Sequence, residues 1–216
     1  MKQFFLILMA LLLISAAASA ATLQTKEGIV GTDPSAEDLA GLVVRGTVGA
    51  YDEASGLIEL TLYEQVTYKA EEIKALAEGD VLVTDDREYT VRTITRDDAT
   101  GHVVINDGDF DNGFLTLYHQ ADERGDFYVA YEDDIEYPIC HKLCTVKVPV
   151  NEDVTIADYS DPEYADGTYT KGIAELLRIK AEREKDSIGL DKTNTLVYFD
   201  GSGNLARVEL IFTPWN

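Results

Sequence analysis

The chain has 216 residues, of which 40 are acidic and 18 basic, a formal net charge of −22 at neutral pH. A surface of that sign repels phosphate backbones and anionic membrane surfaces, which argues against nucleic-acid binding, and it favours solubility, cations and basic partners. The length suits one large domain or two small ones.

Residues 1–20 have the three-part order of a cleavable secretory signal peptide. Lys2 supplies a minimal positive region, Phe4 to Ile14 is an uncharged apolar run, and Ala18-Ser19-Ala20 fits the small-residue pattern of a cleavage site. The apolar run is too short for a mature membrane span, which needs about 20 apolar residues. The expected location is therefore secreted or extracytoplasmic, with no membrane span after cleavage. Loss of Lys2 leaves the mature chain at −23.

Residues 21–41 read as an N-terminal arm, with turn chemistry around Gly31 to Ser35 and a short helical turn at Ala36 to Ala40. Leu42 to Tyr51 reads as a strand. Leu57 to Gln65 alternates apolar and polar residues and reads as a second. Glu71 to Ala77 has the spacing of a short helix, with Gly79 where a C-terminal cap belongs. Asp80 to Thr84 and Glu88 to Thr95 follow as strands. This order suits a small curled antiparallel barrel of SH3-like or OB-like type.

Further strands are predicted at His102 to Asn106, Phe114 to His119, Asp126 to Tyr131, Glu136 to Cys140, Cys144 to Val150 and Val154 to Ala157. They form a second antiparallel sheet. Thr170 to Lys185 is predicted as an amphipathic helix, with Ile173, Leu176, Leu177 and Ala181 on its apolar stripe. Thr195 to Phe199 and Leu205 to Thr213 flank Asp200-Gly201-Ser202-Gly203-Asn204 as a closing hairpin. The fold class is α+β and mostly antiparallel β: a small barrel-like sheet, a second antiparallel sheet, and one C-terminal helix before a final hairpin. Segregation of helix from strand excludes a doubly wound parallel fold. The division by segment is residues 21–96 and 97–216, or one continuous domain over 42–216.

Asp107, Asp109 and Asp111 alternate within an Asn-, Asp- and Gly-rich stretch and could converge on calcium, a hard cation that takes oxygen ligands. The EF-hand frame fails, because Asn112 falls where Gly belongs and Tyr118 where Glu belongs. The other reading is a hairpin loop, whose turns use the same residue types. Cys140 and Cys144 are the only cysteines. In an exported chain, on a hairpin with a short connection, they are expected to form a disulfide. Their spacing is not C-x-x-C, and His141 leaves a zinc site without a fourth ligand. Trp215, the one tryptophan, is read as a latch on the core. The 12 tyrosines, Tyr128 and Tyr131 among them, are read as half-buried strand residues, with carbohydrate stacking as the functional alternative.

No nucleophile elbow and no H-E-x-x-H motif is present, and His102, His119 and His141 are scattered. The expectation is a secreted, non-enzymatic binding or interaction module with a protein or carbohydrate ligand and no cofactor, calcium apart. Its rivals are a secreted hydrolase using paired carboxylates and a calcium-stabilised cell-surface protein. The order of Val104-Ile105-Asn106-Asp107-Gly108, a charged helix, Phe199-Asp200-Gly201 and Thr213-Pro214-Trp215 resembles that of uncharacterised exported proteins of gut-type bacteria. That resemblance implies no activity and no site residues.

Overall fold

The computed structural model describes residues 22–23, 33–84, 87–109, 111, 113–122, 125–132, 137–161, 166–185 and 189–211. The expected signal peptide and Trp215 lie outside the described residues. In chain order the elements begin with β1 (Thr22–Leu23), α1 (Ala36–Leu39), β2 (Val43–Asp52), β3 (Leu57–Gln65), β4 (Thr67–Lys69), α2 (Ala70–Ala75), β5 (Val81–Val83), β6 (Glu88–Thr90) and β7 (Ile94–Arg96). They continue with β8 (Val103–Ile105), β9 (Leu115–Asp122), β10 (Gly125–Glu132), β11 (Tyr137–Pro138), β12 (Cys140–Tyr159), β13 (Thr168–Lys171), α3 (Ile173–Lys185), β14 (Thr195–Phe199) and β15 (Leu205–Ile211).

Alternation in β3 puts Ile58, Leu60 and Leu62 fully inside while their neighbours stay half-buried. β3 pairs antiparallel with β2, and the sheet continues in the order β13-β12-β15-β14-β2-β3. The 20-residue β12 pairs twice. Its first half runs antiparallel to β3, from Cys140 opposite Gln65 to Pro149 opposite Leu57. Its second half runs parallel to β15, with Thr155 to Tyr159 beside Arg207 to Ile211. The sheet therefore curls into a partly closed barrel. Register shifts at Lys142/Cys144 and Val150/Thr155 let so long a strand bend. The barrel interior holds Val44, Val48, Val148, Ile156, Val197 and Val208, and Leu176 of α3 packs into it.

A second sheet has the order β11-β10-β9-β8-β7, with β4 also on β10. Its core is Val66, Tyr68, Ile73, Leu82, Tyr89, Ile105, Leu115 and Leu117, among others. β1, β5 and β6 make a small third sheet. Val66 is held within the second core, where its N–H donates to the Ile139 carbonyl and its carbonyl accepts from the Ala130 N–H.

The class is α+β, mostly antiparallel, with a barrel-like sheet. The barrel is drawn from both ends of the chain: β12, β14 and β15 complete it around β2 and β3, while β5 and β6 lie elsewhere. The segments predicted as separate strands within 140–157 are one strand, because bulges rather than turns absorb the irregularities. Thr168 to Lys171 is a strand and not the start of the helix: it pairs with β12, and its threonines and tyrosine suit a sheet edge. Among the described residues no helix is long and apolar enough to cross a membrane.

Candidate binding groove

The outer face of the barrel follows from the strand period. Inward Val44 and Val197 make the flanking positions outward, so one row across neighbouring strands reads Leu196, Arg45, Tyr63. A parallel row carries Arg207, Tyr198 and Val43. Val43 is 46 % exposed, unusual for a large aliphatic side chain in a strand. Arg45 Nη1 donates to the carbonyls of Lys192 (3.0 Å) and Thr193 (3.2 Å), which pins the turn before β14. The Lys192 ammonium sits 5.5 Å from the centroid of the Tyr63 ring, a cation–π distance.

The second sheet presents its own outer face. Tyr118 stands opposite Val129, and Gln120 opposite Phe127. Val129 and Phe127 are buried although they point away from that sheet's core, because the barrel comes against them. Where β2 and β3 diverge, the two outer faces meet in a groove of about 400 Å³. One wall is Val43, Arg45, Tyr63 and Leu196; the other is Thr67, Gln120, Phe127 and Val129.

Gln120 also borders a recess of about 290 Å³, lined by His102, Tyr118, His119 and Tyr131. The Tyr118 ring meets His102 edge-to-face at 4.5 Å and Tyr131 edge-to-face at 4.8 Å. Each ring thereby fixes the next, leaving a pre-formed aromatic shelf. Gln120 lines both the groove and the recess.

Among the described residues that line the groove, Glu64 is the one carboxylate. Its Oε2 lies 3.6 Å from His141 Nε2. His141 is buried, and its Nδ1 has no hydrogen-bond partner among the described residues. His119 lies 3.7 Å from Asp126. Thus His102 and His119 share the recess, while His141 belongs to the barrel wall.

The loop at Asn106 is organised by hydrogen bonds. Asn106 is buried in the left-handed region (φ 56°), where asparagine is tolerated. Its Oδ1 accepts from the backbone N–H groups of Arg92 and Thr93, and its Nδ2 donates to the carbonyls of Thr90 and Gly113. Asp107 and Asp111 are exposed, and Asp109 lies 3.9 Å from Arg92. Among the described residues no group of three or more His, Cys, Asp or Glu side chains converges as a metal site.

Cys140 and Cys144 are both buried and both free thiols. The hairpin on which their disulfide is expected is not formed. Burial pushes the Cys140 thiol up to about 11, although Arg45 and Lys192 pull it the other way.

Arg45, Tyr63, Phe127 and Lys192 carry no motif. The one signal in the sequence is that Arg45 is the only charged residue in the strand-like run Leu42 to Tyr51. Compared with protein-family models, curated proteins and solved structures, the chain matches none.

Proposed function

We propose that the protein is an exported, non-enzymatic binding module whose groove and aromatic shelf take an oligosaccharide. The carrying observation is that Gln120 lines both the groove and the recess of His102, Tyr118 and Tyr131. The C–H face of a pyranose ring is apolar and slightly positive, and it stacks on the negative face of an aromatic ring. Gln120 supplies an amide beside those rings, and Gln65 and Thr67 supply an amide and a hydroxyl in the groove, where sugar hydroxyls need partners. Rings locked edge-to-face lose little freedom on binding, which favours affinity.

A glycosidase uses two carboxyl groups flanking the scissile bond. The groove offers Glu64 alone among its lining residues, so binding without hydrolysis is the better supported reading. The test is retardation of the mature chain in gels containing soluble polysaccharides, followed by calorimetry with oligosaccharides of the retarding type. Tyr118→Ala and Tyr131→Ala are each expected to weaken binding about tenfold with the fold intact. Unchanged affinity in both variants would remove the shelf from the site.

A further inference from the structure

We propose that Arg45 and Lys192 form a carboxylate-binding subsite against the Tyr63 ring, so that the ligand of the groove is an acidic oligosaccharide bearing uronic-acid units. This rests on the reading of the groove as a saccharide site, and names the class of saccharide.

The first argument is charge compensation. In a chain with 40 acidic and 18 basic residues, a cation has many possible partners. Arg87, Arg92, Arg178, Arg183 and Arg207 each lie within ion-pair distance of a carboxylate. Arg96 donates to the carbonyls of Ile73 and Leu76 at the end of α2. Arg45 likewise donates to backbone carbonyls, of Lys192 at 3.0 Å and of Thr193 at 3.2 Å. Among the described residues neither Arg45 nor Lys192 has a carboxylate partner, and what sets Arg45 apart from Arg96 is its place in the groove lining. Only one guanidinium nitrogen of Arg45 is committed to the turn. A guanidinium offers five N–H donors in a fork that matches a carboxylate, so donors remain for a ligand.

The second argument is position. Arg45 lines the groove itself, beside Tyr63. Lys192 lies over the same ring. A carboxylate-bearing sugar in the groove would meet Arg45 in the wall, with the Lys192 ammonium over the neighbouring Tyr63 ring. A peptide carboxylate could use the same cations, but it would leave the aromatic recess of His102, Tyr118 and Tyr131 unused; the recess therefore favours the sugar.

The net charge of −22 works against an anionic polymer, but only over a short range. At physiological ionic strength charges are screened over about 8 Å, so remote carboxylates contribute little and the cations at the groove decide. Glu64, the carboxylate in the lining, is placed toward His141.

The test uses the mature chain with polygalacturonate, alginate and hyaluronate, against neutral galactan and xylan, and against polygalacturonate whose carboxyls are methyl-esterified. At least one uronate polymer is expected to bind, more weakly as salt rises, and its neutral or esterified counterpart to bind at least tenfold more weakly. Lys192→Gln leaves the backbone bond from Arg45 in place and is expected to weaken the acidic polymer about tenfold, with no change toward neutral sugars. Arg45→Lys keeps the charge but loses the fork, and is expected to weaken binding with a smaller salt effect than Lys192→Gln. Equal binding of free-acid and esterified polymers, or an unaffected Lys192→Gln, would overturn the acidic subsite while leaving the saccharide reading standing. Tighter binding of polyglutamate than of any uronate polymer would overturn it in favour of a peptide. Failure to bind any saccharide would remove both readings.

Discussion

The side-chain amide of Asn106 donates to the carbonyl of Gly113 at 3.1 Å, tying the two ends of the aspartate-rich loop together. The same side chain serves three backbone groups on the Thr90 to Thr93 segment. Removing it leaves buried peptide groups without partners. Asn106→Ala is expected to cost about 3 kcal/mol or more, read as a lower denaturation midpoint. Asn106→Asp keeps the acceptor but loses both donors, and should fall between wild type and alanine.

Because Asn106 holds this loop, removing divalent cations with a chelator is expected to leave the thermal midpoint unchanged. A rise of several degrees on adding millimolar calcium would instead mark Asp107, Asp109 and Asp111 as ligands, since a ligand that binds only the folded state raises its stability.

The cysteine pair gives a chemical readout. Both thiols are buried on one strand. Two thiols are therefore expected to titrate in denaturant without reductant, and both to react slowly in the native protein. A mass two hydrogens lighter, with no titratable thiol in denaturant, would establish the disulfide.

Cys140 also sets an alkaline limit. Its thiol is raised from the ordinary 9.0 to about 11 in the folded state, by burial. A group raised in this way keeps its full contribution below the unfolded value and loses it as pH climbs toward the folded one. Stability should thus be insensitive to Cys140 below about pH 9 and decline by about 2 to 3 kcal/mol between there and pH 11. Urea unfolding of wild type and Cys140→Ala across that window isolates this effect from tyrosine ionisation; parallel pH profiles would contradict it.

Gly203 lies at the tip of the β14–β15 hairpin, under α1. Its φ is +77°, and a Cβ there would lie 2.4 Å from the Ala36 carbonyl oxygen. Both the backbone and the close approach exclude a side chain. Gly203→Ala is expected to cost more than about 2 kcal/mol, whereas Gly201→Ala, which meets nothing within 4 Å, should change stability far less.

Much of the local structure was legible. The alternation in Leu57 to Gln65 defines β3 from end to end, and the Asp200 to Asn204 turn is a hairpin turn. The Asp-rich stretch was legible only as a loop. Its central residue proved to be Asn106, because a buried amide with two donors and an acceptor can satisfy four backbone groups, while carboxylates only accept. Helix-like spacing from Thr170 misled, because the short-range pattern carries no information about the strand waiting beside it.

Alternation, turn chemistry and the N-terminal apolar run are local properties, and the sequence by itself determines an α+β chain, mostly antiparallel, with outward and inward positions marked on each strand. It does not determine which strands become neighbours. β12 closes the barrel by pairing with residues 57–65 on one side and 205–211 on the other, and periodicity does not encode a partner more than fifty residues away. The groove is a product of that closure. Strand pairing within the barrel brings Arg45, Tyr63 and Lys192 together from three separate segments, and packing against the second sheet adds Phe127 to the groove. There, two cations that looked like scattered charges in an acidic chain stand together beside a tyrosine ring.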